Sequence, residues 1–185
     1  MKKTVTIEID DREVRTALGA LQARMGNLRP ALDEVGEVLL DRIMTRFARS
    51  QAPDGTPWAA NSPTTLDRYL SRFGGTRKKD GSLSKKGAAR AAAKKPLIGE
   101  SRTLSTSFFT RTDETSLTIG NPTKYAATHQ FGAKRGEFGR TKRGSPIPWG
   151  NIPARPFLPI TAQGELVPAE RETILDIIAD YLEGD

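Results

Sequence analysis

The chain has no cysteine and only one histidine, His129. The first absence removes disulfides, thiolate metal sites and cysteine nucleophiles, and it fits a reducing intracellular setting. The second removes any zinc site built from several histidines. No apolar run approaches the roughly 20 residues of a membrane-spanning helix. Met1-Lys2-Lys3 is basic, but the alternating, acid-bearing stretch after it lacks the apolar core of a signal peptide. A soluble protein with no membrane partner, not secreted by the usual route, is expected. No glycine-rich loop ends in Lys-Ser or Lys-Thr, so a nucleotide cradle is unsupported. The hydrophobic fraction is 36% over 185 residues, low for a compact globule. Part of the chain is therefore expected to be extended or to rely on a partner for burial.

Charge is plentiful and segregated. The net charge is +7, yet Asp67 to Lys95 holds ten basic and two acidic residues, and Lys134 to Arg143 holds five and one. The rest of the chain is acidic on balance. From Glu165 to Asp185 there are seven acids and one base, Arg171. Such separation points to a polyanion or an acidic protein face as neighbour. Oppositely charged patches on one chain can also pair head to tail between identical subunits and close into a ring.

Periodicity predicts the elements. Val5, Ile7 and Ile9 alternate with polar residues as in a strand over Thr4 to Asp10. Val14, Leu18, Leu21 and Met25 follow at helical spacing, up to Gly26-Asn27. The strongest helix runs from Arg29 to about Ser50, with Pro30 in its first turn and a stripe of Leu32, Val35, Val38, Leu39, Ile43 and Phe47. Gln51 to Pro63, with three prolines and Pro-Asp-Gly, is a loop. A short helix over Thr64 to Phe73 comes next. Gly74 to Lys95 reads as a flexible basic loop with a transient helix near Ala88 to Lys94. Leu104 to Thr112 and Ser116 to Gly120 read as two strands, and Thr123 to Phe131 as a helix stopped by Gly132. Ala133 to Pro153 is a second basic loop, about 133–151 at its centre. Arg155 to Ile160 reads as an edge strand, and Val167 to Leu182 as a helix buried on Ile174, Ile177, Ile178, Tyr181 and Leu182. No internal repeat is evident. The expectation is one α+β domain over 1–185, with a small, mainly antiparallel sheet packed on a long helix and a C-terminal helix.

Little in the chain looks catalytic. His129 has no nucleophile or orienting acid near it in sequence and reads as a structural or contact residue. Asp33, Glu34, Glu37 and Asp41 read as a solvated helix face, with a paired-carboxylate hydrolase as the distant alternative. The basic residues Arg77, Lys78, Lys79, Lys85, Lys86, Arg90, Lys94 and Lys95 suit a solvated loop, phosphate contacts or an acidic protein face. No aromatic residue interrupts Gly74 to Lys95, so DNA contact there would be sequence-blind.

Four motifs in order resemble the phage virion morphogenesis family, which includes tail-completion proteins. They are Phe47 with Pro53-Asp54-Gly55-Thr56-Pro57-Trp58; Leu97-Ile98 with Ser101, Leu104 and Phe108; Ile119-Gly120 with Tyr125-Ala126 and His129-Gln130-Phe131-Gly132; and Ile152-Pro153-Ala154-Arg155-Pro156-Phe157-Leu158. Two places depart from the pattern: Gly74 to Lys95 looks expanded, and Arg102 stands where a glycine is expected. The resemblance implies a structural subunit of the head–tail junction, not an enzyme, with no cofactor and no metal. It would form a ring with copies of itself, as a hexamer, and contact other neck, connector and tail proteins. Genomic DNA would pass through the ring, and the protein would be assembled in the host cytoplasm into the virion. Trp58, Tyr125, His129, Phe131, Arg155 and Phe157 are the expected interface residues. The basic loops would face the lumen or an adjacent ring. A sequence-nonspecific DNA-binding accessory protein is the alternative.

Overall fold

The structure is a computed structural model that describes residues 12–161 and 163–184. The strand expected over Thr4 to Asp10 lies outside the described residues. Helix α1 (Arg12–Gly26) leads into the long α2 (Arg29–Arg49), then α3 (Pro63–Leu70), α4 (Lys85–Ala93) and the single turn α5 (Thr103–Thr106). The hairpin β1 (Phe109–Thr112) and β2 (Leu117–Gly120) follows, then α6 (Ala126–Phe131) and α7 (Pro168–Glu183). The class is α+β, as expected.

Helix α2 is the axis of the molecule. Proline sits in its first turn, where no amide is missed. Ala31, Leu32, Val35, Leu39, Ile43 and Phe47 are buried at helical spacing. Phe47 anchors the core. Its ring lies 5.2 Å from Trp58, 5.4 Å from Phe157 and 5.9 Å from Phe108, centroid to centroid. Ile43, Leu104 and Ala126 complete the cluster. Burying one such large side chain contributes about 1.5–3 kcal/mol. The hairpin packs on α2 at Gly36, where a Cβ would stand 3.3 Å from Leu117 Cδ1. Its strands pair antiparallel, Phe109 opposite Gly120 and Thr112 opposite Leu117.

Helix α7 packs against both α2 and α1. The stripe of Ile174, Ile177, Ile178, Tyr181 and Leu182 is half-buried. Tyr181 donates to the Asn27 carbonyl at 2.8 Å, and Arg24 Nη1 donates to the Leu182 carbonyl at 2.9 Å. That places a cation on the unsatisfied carbonyls at the end of α7. A polar cluster fixes the other end. Arg46 and Glu170 form an ion pair with both residues buried, and Arg46 Nη1 donates to the Phe157 carbonyl at 2.8 Å. Arg42 reaches Glu170 at 3.1 Å and Thr173 Oγ1 at 2.8 Å.

Leu18 and Met25 of α1 stay outside the core, 60% and 61% exposed. Several expectations need correction. The strand expected from Leu104 is divided between α5 and β1, because Leu104 is drawn into the core while the carbonyl of Arg102 caps the turn from Ser105 and Thr106. Arg102 has φ 51, the left-handed conformation for which a glycine was expected there. Arg155 to Ile160 is not a strand of the sheet. Most of its backbone hydrogen bonds run to the side chains of Trp58, Arg46 and Gln130. The segment 74–95, read as a flexible loop with a transient helix near Ala88 to Lys94, holds a tight turn and the helix α4 over Lys85–Ala93. Ser84 caps that helix by accepting from the Gly87 amide at 3.0 Å.

No repeat was evident in the sequence, yet one turn recurs four times. Isolated bridges join Gln51 to Pro57, Arg77 to Leu83, Arg140 to Pro146 and Ile160 to Leu166. Inside each, a glycine at the same offset has positive φ: Gly55 (83°), Gly81 (83°), Gly144 (81°) and Gly164 (89°). The bonding also repeats, as in Lys78 N to Ser82 O at 2.8 Å and Gly81 N to Lys78 O at 3.0 Å. This is the three-residue hairpin, a type I turn followed by a left-handed residue, which glycine enters without a Cβ clash.

Candidate functional site

The motif residues from α6 and the 152–160 segment converge, mostly inside the subunit. Trp58 is buried and donates its indole N–H to the Pro156 carbonyl at 2.8 Å. Phe157 is 1% exposed in the aromatic cluster. Arg155 is buried and donates to the carbonyls of Ala59 and Ala60, both at 2.8 Å. These three side chains are committed within the chain. There they hold the 152–160 segment and the loop after α2 against the core.

The residue that organises this junction is Gln130, which the sequence reading quoted but gave no role. It is 1% exposed. Its Oε1 accepts from the amides of Phe157 at 2.9 Å and Leu158 at 3.0 Å, and its Nε2 donates to Ile160 at 3.2 Å. The Arg155 amide donates to the His129 carbonyl at 2.7 Å. One helix turn thus holds an extended segment as a neighbouring strand would. The His-Gln-Phe-Gly motif was the available signal.

His129 and Tyr125 stand at the outer edge, their rings 6.0 Å apart. They border a cavity of about 430 Å³ with Asn61, Asn151 and Arg155. His129 Nδ1 is buried and has no hydrogen-bond partner among the described residues. Burial first, and then the Arg155 guanidinium, push the imidazole pKa below its ordinary value. The ring is held neutral. No carboxylate lines this cavity, so the orienting acid of a nucleophilic triad is missing among the described residues. Asp33, Glu34, Glu37 and Asp41 are all exposed on α2. Among the described residues no group of three or more potential metal-binding side chains occurs.

Exposed aromatic residues extend from this edge to the second basic loop. Tyr125 is 45% and Phe131 47% exposed, and the second basic loop shows Phe138 and Trp149 at 54% and 76%. Phe138 and Trp149 were missed because a loop has no periodicity to read. The basic residues divide in two. Arg77 pairs with Asp67, Arg90 lies 4.1 Å over the Phe73 ring, Lys94 donates to the Ile98 carbonyl and Lys95 to the Ala48 carbonyl. Burial, more than the nearby Arg72, lowers the Lys94 pKa. Lys78, Lys79, Lys85 and Lys86 are exposed and make no ion pair among the described residues. Lys79 and Lys142 occupy equivalent places on two of the recurrent turns, with Lys78 one position before and Arg143 one after.

No described helix is long and apolar enough to cross a membrane. No curated protein and no solved structure matches the chain. The model of the phage virion morphogenesis family matches residues 9–183. That span takes in α1 to α7 and all four motifs, so the chain belongs to the phage virion morphogenesis family, whose members have structural and assembly roles.

Proposed function

We propose that this protein is a structural subunit of the phage head–tail junction, a tail-completion or neck protein. It acts through protein–protein contacts and catalyses nothing. The observation that carries this reading is the family match over residues 9–183. Two features support the finer placement. The chain keeps large aromatic side chains exposed at Tyr125, Phe131, Phe138 and Trp149, a composition enriched at protein interfaces. Its charge is divided between basic turns and an acidic C-terminal helix, a division that suits head-to-tail self-association. Copies of the subunit would form a ring, six-fold by expectation, between connector and tail proteins. Cryo-electron microscopy of the particle, focused on the junction, tests this. A ring of this subunit at the neck is the expected density. An intact neck without it overturns the reading.

A second reading is favoured by one observation: Lys79 and Lys142 stand at the same position of two recurrent turns, beside Lys78 and Arg143, all four exposed and without an ion pair among the described residues. Cations so presented suit phosphate contacts without base readout. A DNA-binding accessory protein would hold duplex DNA as an isolated chain, losing affinity steeply as salt rises. Salt-insensitive or absent binding excludes it.

A further inference from the structure

An open trough of about 1140 Å³ lies between α2, α3 and the 93–106 segment. Its floor is apolar, with Met44, Tyr69, Phe73 and Ile98. Its rim carries Arg68, Arg72, Lys95 and Arg102, all exposed, against one acid, Glu100, which pairs with Arg72. The floor suits an apolar ridge and the rim suits acids on either side of it.

One surface of the same chain has that pattern. Helix α7 buries Glu170, Thr173, Ile174, Ile177 and Ile178 toward α2 and α1 to varying degrees. Its outer face shows Glu172, Leu175, Asp176, Ala179 and Glu183, all exposed. These are spaced by three or four residues and so lie on one face. Leu175, 53% exposed, is the ridge, with acids flanking it. The helix carries one base, Arg171.

The two surfaces cannot meet within one subunit. Arg42 and Arg46 of α2 hold α7, whereas Met44 and Ala48 line the trough. Residues two apart on a helix point about 200° apart. The trough and α7 therefore lie on opposite sides of α2. A donor face and an acceptor face on opposite sides make a heterologous contact, which propagates from copy to copy and closes into a ring when the rotation permits. Two helical turns of about 10 Å diameter fill roughly 850 Å³, the same scale as the trough.

We infer that the trough seats the outer, acidic face of α7, centred on Leu175, from a second copy of this chain. The inference rests on the ring reading above and assigns its two surfaces. Because the chain has no cysteine, Met44→Cys and Leu175→Cys can be placed on separate chains. These are mixed and treated with a short bis-maleimide, both as concentrated protein and in particles. The expected product joins unlike chains at twice the 20.2 kDa subunit mass. Its yield should fall several-fold at 1 M salt, where the screening length is about 3 Å. Glu172→Lys with Asp176→Lys should abolish the link, and Arg68→Glu with Arg72→Glu in the other chain should restore it.

Links only between like chains, or none in either preparation, overturn the assignment. So does a charge reversal at Arg68 and Arg72 that weakens DNA retention but leaves self-association unchanged. Particles that contain the subunit without the link overturn the docking surface alone. The link in solution, with particles that lack the subunit, upholds the surface and overturns the head–tail reading.

Discussion

Arg46 lies on the inner side of α2, buried with its partner Glu170 and bonded to the Phe157 carbonyl. A buried pair offsets its own desolvation only when both members are present. Arg46→Met strands the Glu170 carboxylate beside the half-exposed Arg42 alone. It should lower the unfolding free energy by about 3 kcal/mol in urea titrations. Combining it with Glu170→Leu should return most of that loss, because the charge is then gone as well. His129 gives a second test at this scale. Its folded pKa is depressed by burial and by Arg155. The unfolded chain therefore takes up a proton at about pH 6.5 that the folded chain refuses. The stabilisation is complete above that pH and is lost as pH falls toward the folded value. His129 is the only histidine, so His129→Gln should flatten the change in melting temperature between pH 7.5 and 5.5. An unchanged slope would assign it to carboxylates.

At the scale of elements, α4 shows how a segment poor in large apolar residues is held in place. Its anchor is Gly87, where a Cβ would lie 2.0 Å from the Thr76 carbonyl oxygen. Thr76 is itself buried and donates to the carbonyls of Leu70 and Phe73. The Ser84 cap and the stacking of Arg90 on Phe73 complete the attachment. Gly87→Ala should push α4 off this surface at a local cost of about 1–3 kcal/mol. Hydrogen exchange should then speed up across Lys85–Ala93, while the α2 amides keep their protection. Uniform loss of protection would mean that α4 folds as one unit with the core.

For the whole molecule, α7 is a structural wall as well as a proposed contact. It covers α2, accepts a bond from Arg24 of α1, donates through Tyr181 to the Asn27 carbonyl after α1, and supplies Glu170. Truncation after Val167 would leave Arg46 unpaired and the inner face of α2 in water. The shortened chain should lose its cooperative unfolding transition. The outer face of α7 contributes nothing to this wall. Glu172→Lys with Asp176→Lys should therefore leave the melting temperature within a degree or two of the parent, in keeping with the small effect of exposed charges.

The sequence alone determined the helices whose burial pattern is local. α2 and α7 were legible in their stripes, α6 in its glycine stop, and the turn at Pro53-Asp54-Gly55 in its residues. The same glycine signal at Asp80-Gly81 and Arg143-Gly144 was hidden in basic stretches that read as flexible, because composition there outweighed a three-residue turn. The four ordered motifs were enough to indicate the family. What each motif does was decided by the tertiary structure. Whether Trp58, Arg155 and Phe157 face a partner or the core depends on residues about a hundred positions apart coming into contact, which no local period encodes. The same holds for Arg46, a charged residue in a helix whose burial depends on one glutamate 124 positions away. Periodicity reports which side chains avoid water; only the packed chain settles which polar atoms replace it.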